Sequence, residues 1–327
     1  MKILILLLFS CVFATVPNFD EFRKMYHKSY KNKTELNLAK KNYEAHVAYI
    51  ERFNSKKRLP YKLGINKYSD LSPTKKKRLN GYRSSIFSSL IERSEELVAE
   101  RGILPNFVDW RNSNAVSPVQ DQGFYCGSCW AYSAAGALEG SISLSRRTPA
   151  IQLSIQQFID CNYDAKIGNF GCDGGFMNVA LFYSSKFDIT TGVRYPYMEA
   201  RNNCSYTKPQ TKFVLSSPVQ IPKGDEDALK VAVATIGPVA TAMDGDHASF
   251  YSYSSGVYYE PNCTQWVNHG VLIVGYGTDP VGGDYWLAKN SWSANWGEDG
   301  FFKIARNRGN HCGIANNAVY IKINKIV

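Results

Sequence analysis

Histidine is scarce in this chain, five in 327 residues, and only His247, His269 and His311 lie beyond residue 104. Any imidazole base in that larger part must come from those three positions. Past the first thirteen residues no apolar run is long enough to span a bilayer, which excludes a helical membrane anchor there. Internal repeats and extended low-complexity tracts are missing too, which sets aside solenoid and linker-like architectures. Acidic residues are sparse at the start: residues 1–103 hold 21 Lys and Arg against 10 Asp and Glu, while residues 104–327 hold 17 against 18. The overall charge of +10 therefore belongs to the N-terminal third. Its runs Lys56-Lys-Arg58 and Lys75-Lys-Lys-Arg78 read as solvated surface, and no nucleic-acid partner is expected.

What is present begins with a leader. Lys2, an apolar run through Phe13 and small Ala14 have the form of a secretory signal peptide, residues 1–14, with cleavage expected after Ala14. A soluble product made in an oxidising compartment follows. Residues 15–80 look helical and charged, with Leu38, Tyr43, Val47 and Ile50 at helical spacing within 35–54. Residues 84–101 are rich in Ser and charge, as an exposed and cleavable linker is. Denser globular sequence starts at Leu104, helical first and then rich in β-forming residues. Cys11 leaves with the leader, so seven cysteines remain. An odd count in an exported protein leaves one thiol free.

Cys129 is the cysteine with a reason to be free. It lies in Gln122-Gly-Phe-Tyr-Cys-Gly-Ser-Cys-Trp130, just before a helix-like stretch at 130–144. Ser128 is a natural N-cap. The helix start favours the thiolate, the attacking form of sulfur. Alternatively, Cys126 to Cys129 is a disulfide half beside a buried cysteine, or a CxxC redox pair. Downstream, the apolar run at 270–276 and the run at 284–290 read as a hairpin around a turn at 279–284. Centred near Pro280, that hairpin sets His269 opposite Asn290, within reach of its amide. A Cys–His pair with an amide to orient the ring supports acyl transfer. His247, in a polar run, and His311, beside Cys312, read as surface or structural.

These motifs resemble the papain family of cysteine proteases, in its cathepsin L-like branch. The resemblance rests on Cys126-Gly-Ser-Cys129-Trp130 with His269 and Asn290 far downstream. It extends to Val108-Asp-Trp-Arg111, Leu153-Ser-Ile-Gln-Gln157, Gly171-Cys-Asp-Gly-Gly175, Asn268-His-Gly270, Asn290-Ser-Trp292 and Trp296-Gly297. It implies an α+β, two-lobed papain-like fold, with a helical left lobe and a β-barrel-like right lobe. A helical inhibitory propeptide at 15–103 precedes a peptidase domain at 104–327. Implied roles are Cys129 as nucleophile, His269 as acid–base, Asn290 as the ring's orienter and Gln122 in the oxyanion hole, with Trp292 shielding the His–Asn contact. Gly174, Gly175, Phe176, Met177, Ala242, Val267, Gly270, Trp292 and Asn317 would bind substrate. The second acyl-side residue would meet an apolar pocket with Asn317 at its floor. Implied disulfides are Cys126–Cys172, Cys161–Cys204 and Cys263–Cys312.

The same resemblance implies a secreted or lysosomal, monomeric endopeptidase acting on proteins and peptides, without metal or cofactor. It would be inhibited by its own propeptide and by cystatin-like proteins. No segment resembles the occluding loop that turns a relative toward dipeptide trimming. In the propeptide signature Glu35, Ile50 and Asn54 match, Tyr43 is a conservative aromatic, and Ala39 and His46 depart; Gly64 to Asp70 fits a second motif. Carboxylate protonation is expected to release the basic propeptide in acid. Two departures touch the site: one extra residue, in Phe124-Tyr125, and Asn268 where many relatives carry Asp. Sequons stand at Asn32, Asn203 and Asn262, the last two with Cys in the middle position. A non-enzymatic binding protein on a protease scaffold is the other rival reading.

Overall fold

The computed structural model describes residues 16–83, 92–93, 103–163, 169–206 and 213–326. The expected leader and, apart from Glu92–Arg93, the expected linker lie outside them. Among the described residues no helix is long and apolar enough to cross a membrane.

The N-terminal part is a small helical unit. Helix α1, Phe19–Met25, starts at a capping box in which Asn18 and Glu21 satisfy each other's backbone N–H groups. Helix α2, Lys33–Asn54, starts at Asn32, whose side chain accepts from Glu35 N. Its buried residues are Ala39, Tyr43, His46 and Ile50, a 4-3-4 spacing that keeps them on one face. Leu38, expected on that stripe, is exposed, and the two departures Ala39 and His46 are on it. Phe19, Phe22, Ala39 and Tyr43 make a miniature core. Strand β1, Tyr61–Leu63, and the short helix α3, Pro73–Lys77, complete the unit.

The larger part sets helices against a sheet. Helix α4, Cys129–Arg146, packs with α5, Ile155–Cys161, and α6, Met177–Lys186. The sheet contains β2, Val239–Met243; β3, Tyr253–Tyr258; β4, His269–Asp279; β5, Gly283–Lys289; and β6, Phe301–Ala305. Their spatial order is β3-β6-β5-β4-β2, and β1 of the N-terminal unit adds antiparallel to the outer edge of β3. One core gathers aromatic residues of the sheet and of the connection between β5 and β6, including Trp286, Trp292, Trp296 and Phe302. The other joins α4, α5 and α6 to the facing side of β2 and β4. Ala131, Ala134, Ala135 and Ala137 are buried on α4, and their small side chains let the helix lie close to β4. The active cysteine candidate is thus at the seam of two packed layers.

Candidate active site

Helix α4 begins at Cys129, but Ser128 does not cap it. The Ser128 hydroxyl pairs instead with the Tyr197 hydroxyl at 2.8 Å. One N–H left at that helix end serves the sulfur: that of Trp130 is among the donors that favour the thiolate. Cys126 is bonded to Cys172, which removes the redox-pair reading of CxxC. Cys161–Cys204 and Cys263–Cys312 are also bonded, and among the described residues Cys129 is the free cysteine.

His269 opens β4, and its backbone faces Met243 of β2. It does not face Asn290 as the expected hairpin required. Asp279 accepts from Val281 N and Gly282 N, closing a turn with Asp279 opposite Gly283. A further irregularity between Ile273 and Gly275 brings Leu272 opposite Lys289. The register is therefore shifted by two to three residues, and the ring meets the amide diagonally. His269 Nε2 lies 2.9 Å from Asn290 Oδ1. Because that oxygen only accepts, Nε2 carries the proton, and Nδ1 is left without a hydrogen-bond partner. The Trp292 ring lies 4.6 Å from the imidazole, centroid to centroid, and is fully buried.

Gln122 is buried with its amide set by three contacts. Its Oε1 accepts from the Ser291 hydroxyl at 2.7 Å, and its Nε2 donates to the Leu79 carbonyl at 3.0 Å and the Cys126 carbonyl at 3.2 Å. Ser291, the middle residue of Asn290-Ser-Trp292, was not singled out from sequence; its position between two named residues was the available signal. The extra residue is absorbed by Glu199, whose Oε1 accepts from both Phe124 N and Tyr125 N. Gly123 takes φ +73°, and a Cβ there would strike the Glu199 carboxylate. Tyr197 OH donates to the Gln122 carbonyl at 2.8 Å. Losing the carboxylate frees two N–H groups and loosens the loop beneath Gln122. Outright removal of an oxyanion donor costs about 10²–10³ in kcat. Glu199→Ala is therefore expected to lower kcat by roughly tenfold with KM nearly unchanged, and Glu199→Gln to restore most of it.

Asn268 is tied to a charge. Its Nδ2 donates to Asp244 Oδ1 at 2.9 Å, and Asp244 also accepts from Thr264 and pairs with His247. These hydrogen bonds hold the Asp244 carboxyl well below the usual range against the opposing effect of burial. A negative group thus stands against Asn268, the residue before the site histidine.

The N-terminal unit threads the cleft. Gly81 N donates to Cys129 Sγ at 3.1 Å, as does Gly270 N at 3.3 Å. Tyr82 pairs parallel with Gly175, through Gly175 N to Gly81 O and Arg83 N to Gly175 O. Tyr82 joins Phe176, Met177, Ala242 and Val267 in one buried cluster, its ring 6.2 Å from that of Phe176. Gly174 adjoins this segment, and Asn317 is half-buried. Burial pushes the Cys129 thiol up to about 11, against the N–H groups of Gly270, Gly81, Trp130 and Tyr82. Burial pushes His269 down to about 4, against the Asn290 amide and the Leu79 carbonyl. The expected helix-start thiolate is therefore overridden while the segment is in place. A Cβ on Gly81 would lie 1.8 Å from the Gly127 carbonyl oxygen. Overpacking of this kind costs about 1–3 kcal/mol. Gly81→Ala should weaken docking roughly tenfold to a hundredfold, read as faster self-processing of the full precursor at a fixed pH.

Residues 104–322 match the family described as papain family cysteine protease, and residues 19–75 match the cathepsin propeptide inhibitor domain. The chain belongs to the papain family of cysteine proteases. It is 41% identical to a cathepsin L-like peptidase of Aedes aegypti, over 98% of this chain and 99% of that one. With a cathepsin L-like protein of Caenorhabditis elegans it shares 40%, over 94% and 91% of the two chains. The solved structure of digestive procathepsin L2 from Tenebrio molitor larval midgut superposes with a TM-score of 0.85 at 39% identity, covering 93% of this chain and 98% of that one. The fold is papain-like with a propeptide, and the protein is a cathepsin L-like cysteine protease made as a zymogen.

Proposed function

We propose that the protein is an endopeptidase whose Cys129, His269, Asn290 and Gln122 cleave peptide bonds through an acyl-enzyme. The observation that carries this reading is the set around one free thiol: a ring whose Nε2–H is held by Asn290, and a buried amide aimed at a carbonyl. Once the propeptide leaves, water relieves the burial that keeps thiol and imidazole neutral. The helix start and the Gly270 N–H then favour sulfur as thiolate, with its proton on His269 Nδ1. Sulfur attacks the scissile carbonyl carbon, a C–S bond forms, and the oxygen takes the π electron pair. In this reading Gln122 Nε2–H and the Cys129 N–H hold that oxyanion. Collapse breaks the C–N bond as His269 Nδ1 gives its proton to the leaving amine. Water, deprotonated by Nδ1, then hydrolyses the thioester and restores the thiol. The propeptide avoids this fate because it runs in reverse and presents an N–H to sulfur.

The acyl-side pocket is read from Phe176, Met177, Ala242 and Val267, filled by Tyr82 in the precursor, with Asn317 as floor. Leu, Val or Phe should be favoured there and Arg disfavoured. The peptidase unit is taken as 104–327, freed by cleavage within 84–101 in the secretory pathway, as a monomer open to cystatin-like inhibitors. Asn32, Asn203 and Asn262 are exposed, with Asn203 and Asn262 beside bridged cysteines. An epoxysuccinyl peptide should add one equivalent at Cys129 after acid processing and almost none before. Labelling elsewhere, or equal labelling of the neutral precursor, would refute the site. A peptide library that prefers Arg at the second acyl-side position would refute the pocket.

A further inference from the structure

Two propeptide cations converge on one ring. The Lys67 ammonium lies 5.0 Å from the Phe124 centroid and is ion-paired with Asp121. The Lys28 ammonium lies 4.9 Å from the same centroid. Glu199 adds negative field at Lys67, whose side chain is only 14% exposed. Phe124 belongs to the run that carries the extra residue, and its ring also packs edge-on against Tyr68 at 5.4 Å.

The threading segment places this cluster relative to the scissile bond. Tyr82 fills the acyl-side pocket, Gly81 lies on the sulfur, and Leu79 meets Gln122. Earlier in the chain, Tyr68 stands against Trp292 at 5.6 Å, and Asp121 bridges to Trp292 through backbone. Lys67 therefore sits past the sulfur from the acyl side, where the leaving half of a substrate lies. Release of the propeptide takes both ammonium groups away and leaves the Asp121 carboxylate and the Phe124 face to solvent.

We propose that Asp121 and Phe124 form a leaving-group-side subsite that takes a basic side chain, Lys or Arg, of the substrate. The inference rests on the cleft polarity proposed above. Lys67 shows the mode of binding: the alkyl stem covered, the ammonium over the ring and against the carboxylate. An exposed ion pair and a cation–π contact are each small, and together they correspond to about tenfold in kcat/KM.

The test uses processed, active-site-titrated enzyme and internally quenched peptides identical on the acyl side. Lys, Arg, norleucine or Glu is placed in turn at the first three leaving-side positions. At one position the basic peptides should exceed norleucine by about tenfold, and Glu should fall below it. The Lys-to-norleucine ratio should drop toward one in Asp121→Asn and in Phe124→Leu. Because the ratio compares two substrates on one enzyme, slow or partly folded variants do not distort it. Equal cleavage of Lys and norleucine peptides at all three positions overturns the subsite, as does a ratio retained in both variants. If no peptide is cleaved at all, the proposed cleft falls and takes the subsite with it.

Discussion

Cys129→Ala is expected to lower kcat by about 10⁶-fold, and His269→Ala by nearly as much. Alanine removes the one free thiol among the described residues. Without His269, nothing takes the proton from sulfur or returns one to the leaving amine. In the proposed roles of nucleophile and base Cys129 and His269 would act as one unit, so the double variant should be no slower than either single variant within a factor of a few. The residual rate belongs to substrate binding and the Gln122 donor. The measurement is kcat/KM of processed enzyme on a fluorogenic peptide, with Cys129→Ala processed by added protease. A Cys129→Ala enzyme within about a hundredfold of the parent would show that the sulfur is not the nucleophile.

The free thiol of Cys129 and its helix were legible because both depend on local sequence: an odd cysteine at a helix start, followed by small and apolar residues. The His269–Asn290 contact was legible for a partly mistaken reason. The expected hairpin needed a turn at Pro280 and direct opposition, whereas Asp279 closes the turn around Val281 and the bulge near Val274 shifts the pairing again. A sequence pattern of apolar residues on two faces does not reveal such slips, and the amide's length made the diagonal contact possible. Ser128 shows the limit of local capping rules. Its hydroxyl is claimed by Tyr197, distant in sequence, and the Trp130 N–H is left for sulfur. Glu199 was illegible for the same reason: nothing near 199 mentions a loop at 124–125. Ala39 and His46 looked like defects in a signature, yet both lie on the buried face of α2.

His46 should give the precursor an acid-sensitive latch. It is buried between α2, α3 and the peptidase unit, with Lys76 Nζ 3.2 Å from Nδ1 and Ser252 Oγ 2.9 Å from Nε2. The Ser252 hydroxyl already donates to the Ala248 carbonyl, so it accepts from Nε2–H, and Nδ1 accepts from the ammonium. Protonating Nδ1 would turn that hydrogen bond into two cations in contact. Tyr49 and Tyr251 pack beside the pair, and Asp246 and Lys77 line the same seam. Burial, then the Lys76 charge, lowers His46 to about 3, and burial lowers Lys76 to about 8. Lys76 therefore remains charged throughout the acid range. With a docked value near 3 and a free value near 6.5, docking keeps its full strength above about pH 6.5. It weakens as pH falls, by up to about 1.4 kcal/mol, or tenfold, per unit until about pH 3. This adds to carboxylate protonation, for which the ion pairs Lys67–Asp121 and Lys77–Asp246 cross the same interface. In a Cys129→Ala precursor, which cannot process itself, propeptide opening can be followed by hydrogen exchange corrected for intrinsic rate. Opening should rise about a hundredfold between pH 6.5 and 4.5, and His46→Gln, which can keep both hydrogen bonds without titrating, should flatten that rise. An unchanged slope in His46→Gln would assign acid release to the interface carboxylates alone.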